Sequence, residues 1–421
     1  MADFHVVVIG CGFGGLEATR ILAGKRGVRV TLIDRCNHHL FQPLLYQVAT
    51  AGLASTSIAA PIRYMFRNDK NVTVLMGEVA RIHAAQKRII CTDGFEAGYD
   101  ALILAAGSTH SYFGHDDWAR HAPGLKTLDD ALNMRRELLL AFENAERSDS
   151  DAERRLLTHF VVVGAGPTGV EMAGTLAEIA RHTLAGEFRH FNPVDARVTL
   201  LDGGDRVLPA FPRQLSEKAR LQLQRLGVEV RLNAKVTAID ADGVDIETPQ
   251  GRERLASRTV IWAAGVKAVP LTATLGAPTD RGGRIPVNAD LSVPGHPEVF
   301  AVGDLAAAQS RGQPVPGVSP AAKQMGRCAA RNILARIAGR PTREFVYIDY
   351  GSLATIGRKS AVALLGPLKL WGLPAWLLWL FAHIYFLIGF RNRIVVMLDW
   401  AWAYFSFARY ARIILGRDEA P

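Results

Sequence analysis

Cysteine is the scarcest informative residue in this chain of 421: there are four, at Cys11, Cys36, Cys91 and Cys328. The nearest two, Cys11 and Cys36, stand 25 positions apart, which excludes a CxxC redox pair and a thiolate zinc cluster. Their scatter points to a reducing compartment. No Ser/His/Asp or Cys/His constellation stands out, so the side chains alone offer no nucleophilic catalysis. Low-complexity tracts and collagen-like periods are absent despite 39 Gly and 20 Pro. The N-terminus, MADFHVVVIG, runs directly into a strand pattern and leaves no room for a signal peptide.

What is present is apolar and basic. Hydrophobic residues make up 49%, charged residues 21%, and the formal charge is +9. At roughly 100–200 residues per domain, the length admits two or three domains. The bias is concentrated: five of the seven tryptophans, Trp371, Trp376, Trp379, Trp400 and Trp402, fall near the C-terminus. From Pro367 to Gly416, Lys369, Arg391, Arg393, Arg409 and Arg412 face one acid, Asp399. This places a composition break near Gly366-Pro367. It also points to lipid head groups rather than nucleic acid as the partner of the positive charge.

Residues 5–20, HVVVIGCGFGGLEATR, read as a buried strand, a glycine turn and a helix start, with glycines at Gly10, Gly12 and Gly15 and an extra Gly14. The first glycine permits the tight turn, the second lets backbone approach a pyrophosphate, and the third lets helix and strand pack closely. A second strand, VRVTLID, ends in Asp34, 24 residues beyond Gly10, where a carboxylate accepts hydrogen bonds from a ribose diol. The pattern recurs 154 residues later in HFVVVGAGPTGVEMAG, with Gly164, Gly166 and Gly169. Its strand, ARVTLLD, ends in Asp202 after an insertion, AGEFRHFNPVDA. An acid there favours NADH, since it repels a 2′-phosphate; Arg206 nearby works against that preference.

Two such units imply two dinucleotides, one resident and one exchanging, with hydride passing between them. ALILAAGS (101–108) and TVIWAAGV (259–266) are each read as a strand returning beside its nucleotide. In PEVFAVGDLA (297–306), Gly303-Asp304 ends a strand where a carboxylate can hold a ribityl hydroxyl.

These residues resemble the two-dinucleotide-binding flavoproteins, and within them the type II NADH:quinone oxidoreductases, single-chain enzymes that reduce membrane quinone without pumping protons. The resemblance rests on NHHLFQPLLYQVATAGL (37–53), GAGPTGVE (164–171), TVIWAAGV, VFAVGD and KQMGR (323–327), and covers nearly the whole chain. It implies FAD at the first turn, NADH at the second and a quinone pocket facing the bilayer. The expected FAD set is Gly10, Gly12, Phe13, Gly14, Gly15, Asp34, Arg35, Gln42, Pro43, Val79, Ala106, Gly107, Gly303 and Asp304. The expected NADH set is Gly164, Gly166, Pro167, Thr168, Gly169, Asp202, Ala264 and Gly265. No metal is expected. His38 and His39 carry no assignment.

Two residues are expected at the reaction itself. Glu171 and Glu17 each lie seven residues beyond their first glycine, so an acid at this offset also suits a helix start. The resemblance places Glu171 beside the nicotinamide and flavin, as a contributor to quinone chemistry. In GVSPAAKQMGRCAARNIL (317–334), Ser319 and Pro320 suit N-cap and first helical positions. Where the family pattern is close to AQxxxQ, this chain has Ser319-Pro320 and keeps only Gln324 as a quinone-site glutamine.

The expected fold is α/β. Two Rossmann-like domains, the second inserted in the first, precede a C-terminal amphipathic helical membrane anchor. The segments are 1–120 with 285–345 for FAD, 121–284 for NADH, 346–366 as connector and 367–421 as anchor. Leu370–Phe390 is long enough to span a bilayer, which takes ~20 apolar residues. Gly372, Pro374, crowded tryptophans and the following arginines favour two helices lying in the interface. The expected location is the cytoplasmic face of the inner membrane, on anionic lipid, and the family resemblance allows a homodimer. Two rivals remain: a sulfide:quinone oxidoreductase using Cys328, and a membrane-docked FAD/NADH sensor without turnover.

Overall fold

The computed structural model describes residues 3–406, 409 and 411–414. The chain divides into two compact units. The first comprises Met1–Leu40, Ala59–Thr109 and Val266–Tyr350; the second comprises Phe41–Ile58, His110–Gly265 and Gly351–Pro421.

The first unit is built on a six-stranded sheet ordered Ser292–Val293, His296–Ala301, Ala101–Leu104, Phe4–Ile9, Val28–Asp34, Val72–Met76. All neighbours are parallel except the short edge strand. The VVVI run of the central strand is buried on both faces, as parallel strands covered by helices require. Helix Phe13–Leu22 packs against helix Ser319–Ile337. The crossing is set by two glycines: a Cβ on Gly326 would overlap the Gly14 carbonyl, and one on Gly14 would stand 3.0 Å from Val302. The later helix starts one residue earlier than expected. Val318 is its extended N-cap, and Ser319 and Pro320 are its first two residues. Proline is equally at home there, because neither position needs an intrahelical N–H donor.

The second unit repeats the theme with four parallel strands ordered Val228–Arg231, Arg197–Leu201, His159–Val163, Thr259–Trp262. Helix Pro167–Glu178 follows the central strand and lies against strand Ser352–Gly357, where a Cβ on Gly174 would overlap the Ile356 carbonyl. Strands Ser352–Gly357, Ser360–Leu365 and Leu368–Trp371 form an antiparallel sheet. The composition change at Gly366-Pro367 falls on the turn of its second hairpin. Ala361 and Ala363 of that sheet pack on Ala375 of helix Leu373–Phe386.

A second C-terminal helix, Phe390–Ser406, follows a break at Leu387–Gly389, where Leu387 is extended and Gly389 has φ +85°. The apolar run at 370–390 is therefore not one helix. Its 14-residue helical part rises about 21 Å, short of the ~30 Å hydrocarbon core. Among the described residues, no helix is long and apolar enough to cross a membrane. Phe381, Tyr385, Phe390 and Phe405 are each at least 70% exposed, an apolar surface that a water-facing helix pair does not need.

Candidate functional site

Each unit carries a cradle whose glycines divide the work. In the first, Gly10 sits at φ +92°, and a Cβ there would lie 2.5 Å from the Ala105 carbonyl oxygen. A Cβ on Gly15 would overlap the Gly10 carbonyl, so helix and strand touch at this point. Gly12 differs: the nearest protein atom to its would-be Cβ is 4.0 Å away. Gly12 is also the N-cap of the helix and makes no side-chain cap. The first-turn N–H groups therefore face an open space, as a pyrophosphate requires. The second unit reproduces every feature. Gly164 (φ +105°) is crowded by Ala263 and Ala264 at 2.7 Å, Gly169 abuts the Gly164 carbonyl, and Gly166 has nothing within 4 Å. Pro167 opens the helix and is exposed beside Thr168. The Ala-Ala-Gly ends of strands Ala101–Leu104 and Thr259–Trp262 are thus the walls behind the two turns.

The two acids are more than ribose acceptors. Asp34 Oδ2 accepts from the Cys11 amide at 2.5 Å, and its Oδ1 from the Cys36 amide at 2.8 Å. Asp202 Oδ2 accepts from Ala165 N at 2.6 Å, and its Oδ1 from Gly204 N at 2.7 Å. In both units the carboxylate braces the residue after the first glycine. Burial raises the Asp34 pKa, and the two amide bonds act against that rise. Arg206 donates to the Pro209 carbonyl at 3.2 Å.

The remaining FAD-set residues separate. Gly303 and Gly107 take left-handed φ values of +77° and +74°, and Asp304 accepts from Ser108 Oγ at 2.7 Å. Ala106 follows the strand wall, Val79 begins strand Val79–His83 and is 8% exposed, and Arg35 is exposed beyond Asp34. Lys323 stands over the Phe13 ring at 5.2 Å. Gln42 and Pro43 lie in the second unit, where Gln42 donates to the Lys126 carbonyl at 3.2 Å. In the NADH set, Ala264 and Gly265 follow the wall strand. A Cβ on Gly265 (φ +74°) would meet the Phe113 ring at 2.6 Å.

Gln324 is engaged within its own unit at both ends of its amide. Its Nε2 donates to the Ile348 carbonyl and its Oε1 accepts from the Ile348 amide, both at 2.9 Å. Asn332, two turns along the same helix, grips Arg343 in the same two-point way, at 2.9 and 2.8 Å. Side-chain amides thus hold both ends of residues 343–348, while between them Phe345 N donates to the Ala289 carbonyl at 2.8 Å and Tyr347 N to Ser310 Oγ at 3.0 Å.

Glu171 is 9% exposed on helix Pro167–Glu178. Burial pushes its carboxyl up to about 8, opposed only by the Thr355 amide. It carries its proton at neutral pH. Two turns on, Glu178 accepts from the Arg358 amide and pairs with Arg409 at 3.5 Å. Arg409 also donates to the Thr50 carbonyl at 3.1 Å.

Sequence reasoning missed His39. It is 1% exposed, and its Nδ1 contacts the Cys11 carbonyl at 2.6 Å beneath the first glycine turn. Burial lowers its pKa to about 4, so it is neutral, and its buried Nε2 has no partner among the described residues. Adjacency to Asp34 was the only signal available. The same holds for Tyr46 and Gln47, hidden in a loop-rich segment without a period.

A chain with two glycine-turn cradles, each braced by an acid and backed by an Ala-Ala-Gly strand, is a two-dinucleotide oxidoreductase. Residues 4–326 match the pyridine nucleotide-disulphide oxidoreductase family, and residues 350–409 match the NDH2 C-terminal domain. The chain is 46% identical over 416 residues to the type II NADH:quinone oxidoreductase Ndh of Mycobacterium tuberculosis, covering 96% of this chain and 89% of that protein. In fold it is similar to NDH2 of Plasmodium falciparum in complex with NADH, with TM-score 0.89 at 21% identity, covering 98% and 100% of the two chains. A sulfide:quinone oxidoreductase from Aquifex aeolicus is similar in fold at TM-score 0.74 and 19% identity, covering 93% and 92%. The chain belongs to the type II NADH:quinone oxidoreductase family.

Proposed function

We propose that this protein oxidises NADH and delivers two electrons to a membrane quinone, with FAD resident in the first cradle and NADH exchanging at the second. The duplicated cradle supports this most directly: two turns, each leaving its second glycine open where a pyrophosphate approaches. When bound, the flavin supplies the hydride acceptance that no side chain of the chain offers. The chain's own work is to bind, orient and manage protons. Gly12 and Gly166 admit the pyrophosphates, and Asp34 and Asp202 hold the turns in shape. Asp304 and Ser108 are placed for ribityl hydroxyls. Glu171 holds a proton in a dry setting at neutral pH, the property needed in a donor to a quinone oxygen.

The thiols argue against sulfide chemistry. Burial pushes Cys328 up to about 11, so it is not a thiolate nucleophile at neutral pH. All four cysteines are free. The exposed aromatics of the two C-terminal helices, with Arg391 and Arg393 between them, support a peripheral seat on anionic lipid at the cytoplasmic face of the membrane. The test is direct. Purified protein should be yellow and should oxidise NADH with ubiquinone or menaquinone analogues, and NADPH more slowly. Absence of a flavin spectrum, or of quinone-dependent turnover, overturns the reading.

A further inference from the structure

Helix Leu128–Arg147 of the second unit buries one apolar face, with Met134, Leu138 and Phe142 on it. Arg135 is buried on the same helix and is only 8% exposed. Its guanidinium offers five N–H donors and a charge that no working pH removes. Among the described residues it makes no hydrogen bond and no ion pair. Burial alone acts on its pKa, which is lowered, and no acid acts the other way.

Arg135 lines a cavity of about 10 Å³ that lies wholly within the second unit, with room for one water-sized particle. Leu138, Leu139, Phe142, Leu176 and Ile179 form most of its wall. Its two other polar side chains are already engaged. The Thr50 hydroxyl donates to the Tyr46 carbonyl at 2.8 Å, and Arg412 pairs with Glu187 at 2.5 Å. No acid lines the cavity among the described residues. Arg409 and Arg412 thus have Glu178 and Glu187 as counterions, whereas Arg135 has none.

A water molecule in this space would satisfy part of the guanidinium and leave its charge buried and uncompensated, which is the costly part. An anion answers both needs. Size then narrows the choice, because phosphate, sulfate and carboxylates carry several heavy atoms, while a halide is a single atom little larger than water. We propose that Arg135 holds a chloride ion in this cavity, between helices Leu128–Arg147 and Pro167–Glu178 and the end of helix Leu45–Ala49. The ion stands where a carboxylate is missing and accepts from the guanidinium. It enters from a second cavity of about 320 Å³, which shares Leu139, Phe142 and Arg412 with the first. Helix Leu45–Ala49 already packs on helix Leu128–Arg147, and the ion fastens that contact. No step of the proposed electron transfer passes through it.

The test uses the flavin-loaded, full-length protein. Crystals grown in gluconate and soaked in bromide should show an anomalous bromide peak at the Arg135 guanidinium. Chloride replacing gluconate at constant ionic strength should raise the melting temperature, by roughly 3 °C at ten times its dissociation constant. In Arg135→Met that rise should vanish. The variant should also melt in gluconate no lower than the unmodified protein, since it no longer buries a lone cation. Bromide peaks at the surface with none at Arg135, or an equal chloride response in the two proteins, overturns the proposal. If Arg135→Met does not fold, the bromide map of the unmodified protein decides alone. Loss of the quinone-reductase reading leaves both measurements unchanged.

Discussion

Alanine at Gly166 and alanine at Gly169 should have opposite consequences, although the two glycines are three residues apart on one turn. Gly166 has φ −71° and ψ −178°, a backbone any residue adopts, and its Cβ would meet nothing within 4 Å. Replacing it should leave the nucleotide-free fold intact, or stabilise it by ~0.4–1 kcal/mol through loss of unfolded-chain freedom. Yet the new methyl group fills the space that the pyrophosphate needs, and NADH affinity should fall at least tenfold, ~1.4 kcal/mol. Gly169 lies inside the helix, where alanine gains ~1 kcal/mol of helix propensity. Its Cβ would overlap the Gly164 carbonyl and stand 3.4 Å from the Ala263 methyl. Because the obstacle is backbone, helix and strand must separate by about one and a half ångströms before reaching ordinary contact. An overpacking cost of ~1–3 kcal/mol or more then outweighs the propensity gain. Net of that gain, the melting temperature should drop by up to roughly 8 °C for a unit of this size. Thermal melts without NADH, alongside fluorescence titration with NADH, separate the two. Equal destabilisation by both variants, or unchanged NADH affinity in Gly166→Ala, refutes the division of labour among the glycines.

Glu171 binds a proton in the folded state with a pKa of about 8, above its unfolded value, so its contribution to stability falls as pH rises from the unfolded carboxyl range through 8. Glu171→Gln should remove that decline, and its melting temperature relative to the parent should climb between pH 5 and 8 in buffered thermal scans. Asp202→Asn should lose one of two backbone anchors and bring an NH2 group against a donor. It should cost ~1–3 kcal/mol and weaken NADH binding rather than convert the enzyme to NADPH, as parallel titrations with both nucleotides would show. Replacing Phe381, Tyr385, Phe390 and Phe405 together with serine should release the protein from anionic liposomes in a flotation assay with flavin retained. Truncation at Gly366 is a poorer test, since it removes a paired strand and uncovers Ala361 and Ala363. Cys328→Ser should leave NADH:quinone turnover within about twofold, and iodoacetamide at pH 8 should modify Cys328 slowly, as mass spectrometry reports.

The cradles were legible because their physics is local. Strand, glycine spacing and helix follow one another in the chain, and a tight turn admits few other residues. What spacing did not convey was the second task of Asp34 and Asp202, since a backbone amide as partner leaves no mark in composition. The helix crossing at Gly14 and Gly326 involves residues more than 300 positions apart, and neither glycine signals its partner. Gln324 illustrates the opposite limit. A motif suggested a quinone-site role for it, and what the motif did not convey is that both ends of its amide also meet Ile348 of the following strap. The tail was readable as apolar and basic but not as two helices, since the break at Leu387–Gly389 turns on one glycine and one extended leucine.

The division into two units of three segments each carries a consequence for synthesis. The chain passes from one unit to the other five times, at 40/41, 58/59, 109/110, 265/266 and 350/351. The central sheet of the first unit includes strands as far apart as Phe4–Ile9 and His296–Ala301. A ribosome therefore cannot release a finished first domain before starting the second, as it does for beads on a string. The first unit's sheet must wait, partly unpaired, for strands made much later, and such long-range pairing is slow. The same threading means that a single proteolytic nick at 58/59, 109/110 or 265/266 leaves two fragments that each hold segments of both units.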